Sequence, residues 1–179
     1  MKSKKSASPS TPVLKKPMPE AVLSASDIDT LAQAQASLQQ PQALFSAIEQ
    51  IAARTVGQCL FSVNAFRAAT LEVERLYSSN QVAYPVGGRK QKKATAWGQQ
   101  VLIERRVYVG AGEAAITASF DDAALMFSLG VRSIINVPVV WRGVCLGVLN
   151  FACPHSRVEA EQVAAARLLG LVSVAALKT

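Results

Sequence analysis

The chain has few of the residues that build metal centres and redox sites. It contains three cysteines and one histidine among 179 residues. Cys59, Cys145 and Cys153 are odd in number and lack Cys-x-x-Cys spacing, which excludes a disulfide framework and a zinc site. One histidine, His155, cannot supply a multi-histidine metal centre. We therefore predict no metal and no cofactor.

Charge is also scarce, and it is unevenly placed. Only 17% of the residues are charged and half are apolar, a composition typical of a packed globular chain rather than a disordered one. The net charge of +7 is concentrated in residues 1–20, which carry five lysines, and in residues 89–93, which carry four basic side chains. A nucleic-acid-binding protein spreads its basic residues over a folded face. We predict no nucleic-acid partner.

Long hydrophobic runs are missing as well. The most apolar run near the C-terminus, residues 168–177, is about half as long as the ~20 residues of a membrane span. No apolar stretch of the kind found in secretion signals follows the basic N-terminus. We expect a cytoplasmic protein that does not bind membranes. Residues 1–24, rich in lysine, serine and proline, are predicted to be a flexible basic tail, and residues 25–179 a single domain.

The remaining sequence alternates between helical and strand periodicity. A helix is predicted to begin at the Ser26 and Asp29 capping pattern and to end before Pro41, where a second begins that continues to Gly57. Strands are predicted over residues 59–66 and 72–79, the second with Val73, Arg75 and Tyr77 on one side. We interpret residues 78–93 as a loop, 95–105 as a helix, 107–110 as a short strand and 111–130 as irregular or helical.

The clearest local signal is a hairpin near the C-terminus. Two β-rich runs, residues 133–140 and 144–151, flank the turn Trp141-Arg142-Gly143. A final helix is predicted from residue 158 or 159. The order of elements favours a sequential antiparallel sheet with the terminal helices on one face.

This order and the hairpin sequence resemble the GAF domain. The run Ser-Ile-Ile-Asn-Val-Pro-Val-Val and the strand Gly-Val-Cys-Leu-Gly-Val-Leu-Asn-Phe match the family's pattern, and so does a helix with Trp97-Gly98 that leads into a short strand. The likeness covers residues 41–178. It implies an α+β fold with a central antiparallel sheet of five to six strands. The N- and C-terminal helices would pack on one face, and loops and short helices would close a pocket on the other.

The resemblance also implies a function and a set of pocket residues. GAF domains bind cyclic nucleotides, tetrapyrroles, haem or amino-acid-like metabolites, and usually dimerise through their terminal helices. We expect a stand-alone sensory or regulatory module that binds a small polar or anionic metabolite and forms a homodimer. The pocket positions carried over from the family are Tyr77, Ser79, Asn80, Tyr84, Trp97, Asp121, Arg132, Ser133 and Asn136.

These residue types fit the recognition of a polar ligand. Tyrosine and tryptophan would supply apolar walls with a hydrogen-bonding edge. Ser133 and Asn136 would orient the ligand, and Arg132 or Arg89 would pair with a carboxylate or phosphate. Other interpretations stay open: Trp97 as a core residue, Asn136 as part of a sheet irregularity, and residues 89–93 as a solvated loop.

Two alternative functions also stay open. A free methionine-(R)-sulfoxide reductase needs an attacking thiolate and a resolving thiol, which in the family lie in the pocket loops. Residues 80–132 contain no cysteine, so we predict a protein without catalytic residues. Attachment of a tetrapyrrole would need Cys153 and His155, which fall after the hairpin, away from the family's pocket. The second alternative is a structural dimer or adaptor, which would use the apolar surface of Ala164, Leu168, Leu171 and Val172.

Overall fold

The computed structural model describes residues 22–92 and 95–178. Most of the predicted basic tail, residues 1–21, therefore lies outside the described residues. The helices are α1 (Ala25–Ala36), α2 (Gln42–Thr55), α3 (Ala96–Gly98), α4 (Glu113–Ser119), α5 (Ala123–Ser128), α6 (Ala160–Val172) and α7 (Val174–Leu177). The strands are β1 (Leu60–Arg67), β2 (Glu72–Ser78), β3 (Arg89–Gln91), β4 (Tyr108–Ala111), β5 (Ser133–Trp141) and β6 (Val144–Cys153).

Two helix boundaries differ from the predicted ones. The N-cap of α1 is Ser24 rather than Ser26, because Ser24 forms a reciprocal capping box with Asp27, three residues later. The helix predicted over residues 95–105 begins after Thr95, whose hydroxyl accepts a hydrogen bond from the backbone N–H of Gly98. It then continues as a π-helical turn over Gln99–Ile103.

The six strands form one antiparallel sheet in the order β3-β2-β1-β6-β5-β4. This confirms the predicted α+β class and the strand number. The sheet is not sequential as expected, because β1 pairs with β6 as well as with β2. β1 is rich in apolar residues on both faces, which suits a central strand with two neighbours. The short charged strand β3, at one edge, forms where only a loop was predicted.

One face of the sheet carries the main hydrophobic core. Helices α2 and α6 pack on this helix face, as predicted for the terminal helices. Phe45 of α2, Phe61 of β1 and Phe151 of β6 are fully buried there. The ring centroids of Phe61 and Phe151 lie 5.1 Å apart. The second face, called here the cavity face, is covered by α3 with the π-helical turn, by α4 and α5, and by the segment that follows β2.

A β-bulge in β2 changes which residues face the cavity. Asn64 of β1 pairs with Arg75, whereas its neighbour Val63 pairs with Tyr77, so Leu76 is an extra residue in β2. One extra residue reverses the alternation of the strand. Arg75 therefore lines the cavity and Tyr77 packs on the helix face, although the predicted alternation put both on one side.

The outer surface of α6 is partly apolar. Leu168 and Leu171 are 43% and 69% exposed. These are residues through which a homodimer is predicted, and the dimer stays a prediction. None of the helices formed by residues 22–92 and 95–178 is long and apolar enough to cross a membrane.

Candidate functional site

The cavity face borders a cavity of about 160 Å³ that is partly open to solvent. An engineered apolar cavity of about 150 Å³ holds one benzene molecule, so this space suits a ligand of about one ring. Its walls come from the sheet, β3, Trp97 and the segment of α5. The lining residues are Leu60, Ser62, Asn64, Val73, Arg75, Tyr84, Gly88, Arg89, Lys90, Lys92, Trp97, Phe120, Asp122, Met126, Ile134, Asn136, Asn150 and Ala152.

The floor of the cavity consists of cross-strand rows of different polarity. The first row, Leu60, Ala152 and Ile134, is apolar and runs across β1, β6 and β5. The second row, two residues further along each strand, is Ser62, Asn150 and Asn136 and is entirely polar. The third begins with Asn64 of β1, which pairs with Arg75 of β2. Successive rows lie about 6–7 Å apart, since a strand rises about 3.3 Å per residue.

A chain of hydrogen bonds fixes the polar row. The indole N–H of Trp97 donates to Oδ1 of Asn136 at 2.8 Å, and Nδ2 of Asn136 donates to Oδ1 of Asn150 at 2.7 Å. Nδ2 of Asn150 donates to the carbonyl and the hydroxyl oxygen of Ser62, at 3.3 and 3.2 Å. This hydrogen-bond relay runs in one direction, from Trp97 in the wall to Ser62 in the floor. It holds the side-chain amides of Asn136 and Asn150 in fixed orientations.

Positive charge dominates the side of the cavity formed by β2, β3 and Lys92. Nζ of Lys92 lies 4.9 Å from the centroid of Trp97, and the guanidinium of Arg75 lies 5.0 Å from that of Tyr84. Nζ of Lys90 is 3.7 Å from a carboxylate oxygen of Asp122. The side chains of Arg75 and Lys92 form no ion pair with any described residue.

Burial affects the ionisable groups of this region. Burial lowers the pKa of Arg75, and electrostatic interactions with Tyr84 and Asp122 offset part of this decrease. It also lowers the pKa of Lys92, as does the positive charge of Lys90. Burial and the negative charge of Asp122 raise the pKa of Tyr84, whose hydroxyl stays protonated at neutral pH. The site thus presents several cations, the carboxylate of Asp122 and a neutral phenol.

Three buried polar atoms at the cavity lack a hydrogen-bond partner among the described residues. They are Nε of Arg75, the hydroxyl oxygen of Tyr84 and Oδ1 of Asn64. A buried polar group without a partner is costly, so native proteins rarely retain one without a reason such as a ligand. All three belong to side chains that line the cavity.

The structure brings three of the nine predicted pocket residues to the cavity. Tyr84 and Trp97 form walls, and Asn136 is the centre of the polar row on β5. Arg89, considered as an anion partner, reaches the rim but already pairs with Glu74 at 3.0 Å and Glu72 at 3.8 Å.

Three other predicted residues lie elsewhere for reasons of strand geometry and local pairing. The bulge places Tyr77 on the helix face, where its hydroxyl donates to Oε2 of Glu49 at 2.6 Å. Ser133 is three positions from Asn136 on one strand, so the two side chains face opposite sides of the sheet. Arg132 pairs with Glu113 at 3.4 Å and donates to the carbonyl of Val131 at 2.7 Å.

The remaining three predicted residues shape the cavity's surroundings rather than its lining. The hydroxyl oxygen of Ser79 accepts a hydrogen bond from the backbone N–H of Phe61 at 2.9 Å. Oδ1 of Asn80 accepts one from Ala83 at 3.0 Å and so orders the turn before Tyr84. Asp121 is replaced in the lining by its neighbour Asp122.

Sequence reasoning missed most of the polar lining. The polar lining residues absent from the nine predicted pocket positions are Ser62, Asn64, Arg75, Lys90, Lys92, Asp122 and Asn150. One signal was available: Ser62 and Asn64 alternate with the apolar residues of β1, so they share a face. Arg75 and Asn150 depend on the bulge and on the β1–β6 pairing, which the sequence does not reveal.

The cysteines are not among the residues that line this site. All three are within the described residues, and none lines the cavity. Burial raises the pKa of Cys145 to about 11 and that of Cys153 to about 12, so both thiols stay protonated at neutral pH. Cys153 faces the helix core. The described His, Cys, Asp and Glu side chains form no cluster of three or more that suits a metal ion.

Comparison with known proteins reveals a shared fold. The sequence matches no protein-family model and no curated protein. The GAF domain of a phosphoenolpyruvate-protein phosphotransferase from Coxiella burnetii superposes with a TM-score of 0.69 at 14% identity, over 86% of this chain and 91% of that one. A methyl-accepting chemotaxis protein gives 0.62 at 14% identity, over 83% and 94%. A phycoerythrobilin-bound GAF domain from a cyanobacterial phytochrome gives 0.60 at 12% identity, over 86% and 97%.

Proposed function

Since the chain has the GAF-domain fold, we propose that it is a sensory or regulatory module that binds one small anionic metabolite on its cavity face. The observation that carries the proposal is the pair of half-buried cations, Arg75 and Lys92: the charge of Asp122 acts on both from a distance, but no described carboxylate forms an ion pair with either. The proposal includes no catalytic step.

A half-buried cation without a counter-ion costs free energy. Buried charges in proteins are normally paired, because an unpaired one loses its hydration without compensation. The guanidinium of Arg75 cannot lose its proton to avoid this cost, and its Nε has no hydrogen-bond partner in the described residues. An anion in the cavity would restore both the charge partner and the hydrogen bond. This supports an anionic ligand over a neutral or cationic one.

Proteins of the same fold support a sensory role. One of the similar structures belongs to a chemotaxis protein, and another holds a bound chromophore in its GAF domain. By contrast, the sulfoxide reductase alternative gains no support, because two of the thiols are buried with raised pKa values and no cysteine lines the cavity. The cavity therefore favours binding over thiol chemistry.

Titration of the purified protein with small anions tests this proposal. Inorganic phosphate, acetate, benzoate and phenyl phosphate are titrated at constant ionic strength and followed by protein-observed NMR. We expect saturable shifts of the cavity residues with at least one of these anions. Arg75→Gln should weaken this binding by about tenfold or more, since a charge-assisted hydrogen bond contributes about 1.5–3 kcal/mol.

Arg67→Gln is the matched control. Arg67 is another β-strand arginine, but it pairs with Glu74 at the surface and does not line the cavity. Its substitution should leave anion binding unchanged. If Arg75→Gln does not fold, Lys92→Met serves in its place. Binding that is absent in the wild type, or equally weakened by the Arg67 and Arg75 substitutions, would refute the proposal.

A further inference from the structure

The cavity floor changes from apolar to cationic along one direction. Leu60, Ala152 and Ile134 form its apolar end, and Met126 packs against the same cluster. None of these four side chains carries a group that donates or accepts a strong hydrogen bond. A ligand that was polar throughout would lose its hydration over this row without replacement. The apolar end therefore suits a hydrophobic part of the ligand.

The opposite end carries the cationic donors of the cavity, beside two acceptors: Oδ1 of Asn64 and the carboxylate of Asp122, which pairs with Lys90. Arg75 and Lys92 donate only, and Nε of Arg75 has no acceptor among the described residues. Lys92 and Arg75 are also held over the rings of Trp97 and Tyr84, so they are positioned before any ligand binds. Such a set of fixed donors is complementary to an oxyanion.

The polar row between the two ends adds a further donor. Each member of the relay accepts a hydrogen bond from the one before it: Asn136 from Trp97, Asn150 from Asn136, and Ser62 from Asn150. The hydroxyl proton of Ser62, at the end of the relay, has no acceptor among the hydrogen bonds of the described residues. The middle of the floor can therefore donate to an acceptor atom of the ligand.

The size of the cavity limits the hydrophobic part. A volume of about 160 Å³ holds about one ring, and Met126 and Phe120 restrict further extension from above. We infer that the ligand is amphiphilic: a compact apolar body of about one ring that bears a single oxyanion, with the body over Leu60, Ala152 and Ile134 and the oxyanion toward Arg75 and Lys92. This inference rests on the proposed function, that the cavity binds an anion.

A ligand series separates the contribution of the body from that of the charge. Wild-type protein is titrated with benzoate and acetate, and with phenyl phosphate and inorganic phosphate, by protein-observed NMR. Within at least one pair, we expect the ring-bearing anion to bind about tenfold or more tightly than the small one. Benzamide, the neutral counterpart of benzoate, should bind more weakly than benzoate. The pair with the tighter member identifies the oxyanion as carboxylate or phosphate.

Substitution at the apolar end provides an independent test. Ala152→Val adds volume beneath the proposed body and should weaken binding of the ring-bearing anion by about tenfold, while the small anion changes less than about twofold. Met126→Ala enlarges the same end and should shift the preference toward 2-naphthoate over benzoate. If Ala152→Val does not fold, Met126→Ala alone decides.

The outcomes distinguish this inference from the proposed function. If acetate or inorganic phosphate binds as tightly as its ring-bearing counterpart, the amphiphilic ligand is refuted while anion binding stands. The same holds if the Met126 substitution leaves the preference between benzoate and 2-naphthoate unchanged. If no anion binds at all, both proposals fail together.

Discussion

The two faces of the sheet are built from the same strands but serve different purposes. On the helix face, Phe61, Ile135 and Phe151 are fully buried against α2 and α6. On the cavity face, the alternate residues of the same strands include Ser62, Asn136 and Asn150. Of the five buried polar side-chain atoms without a partner within the described residues, three lie at the cavity.

Under the proposed function, this difference lets one strand contribute to stability on one face and to binding on the other. Successive side chains of a strand point to opposite faces, so selection on one face is largely independent of the other. Dense apolar packing stabilises the fold, whereas fixed polar groups with unused hydrogen-bonding capacity favour a ligand at some cost in stability. Substitutions on the helix face should therefore change the free energy of unfolding most, and those on the cavity face should change binding most.

The largest expected effect is at the centre of the helix face. Phe151→Ala removes a fully buried ring that contacts Phe61. We expect a loss of about 3–5 kcal/mol in the free energy of unfolding, measured by urea denaturation. Asn150→Ala, the adjacent position on the cavity face, is the control and should cost less than Phe151→Ala. Equal losses at the two positions would contradict the division between the faces.

A smaller effect is expected where α6 approaches the sheet. A Cβ at Gly170 would lie 2.7 Å from Cγ1 of Val137, which is too close for a van der Waals contact. Gly170→Ala should therefore destabilise the protein by about 1 kcal/mol, because overpacking costs about 1–3 kcal/mol and the gain in helix propensity offsets up to about 1 kcal/mol of it.

The control for Gly170 lies on the exposed side of the same helix. Ala164→Gly measures helix propensity alone and should cost about 1 kcal/mol. A Gly170→Ala variant that is more stable than the wild type in urea denaturation would show that α6 can move away from β5 without loss.

The smallest expected effect on stability is an increase rather than a loss, and it arises on the cavity face. Burial and the charge of Lys90 lower the pKa of Lys92 from its ordinary value of 10.5. The unfolded state therefore holds this proton more tightly, and the charged side chain destabilises the ligand-free fold at neutral pH. Lys92→Met should raise the melting temperature at pH 7 while it weakens anion binding.

The pH dependence of the Lys92 effect provides its check. As the pH rises through the lowered pKa of Lys92, the folded protein loses the unfavourable charge, so the advantage of the Met variant should shrink toward pH 10. Lys90→Met, at the exposed rim, removes both the ion pair with Asp122 and the repulsion of Lys92, so it should change the melting temperature less than Lys92→Met does. If Lys92→Met is no more stable than the wild type at pH 7, the charge of Lys92 does not destabilise the ligand-free fold and the prediction is wrong.

The fold could be predicted from the sequence because its signals are local. The hairpin turn at Trp141-Arg142-Gly143 and the alternation of β5 and β6 are encoded by neighbouring residues, and the GAF resemblance supplied the arrangement of helices. The pairing of β1 with β6 and the short strand β3 were missed. Both depend on contacts between distant segments, which propensity and periodicity do not record.

The site was predicted less well, for related physical reasons. Ser133 and Asn136 could have been separated from the sequence, since residues three apart on a strand cannot share a face. The sequence could not show that Tyr77 and Arg75 face opposite sides of the sheet. The bulge at Leu76 reverses the alternation between them and leaves no sequence signal of its own. Arg132 was predicted as an anion partner from the family's pocket positions and its charge, but it forms an ion pair with Glu113.

The bulge at Leu76 also has a mechanical consequence. It sets Arg75, at the cavity, only two residues from Tyr77, whose hydroxyl holds Glu49 of α2. A displacement of the β2 backbone at Arg75 therefore reaches a side chain anchored in the helix layer through two peptide units. Three consecutive residues of β2 thus span the thickness of the sheet, with one side chain at the cavity and one bonded to the helix layer.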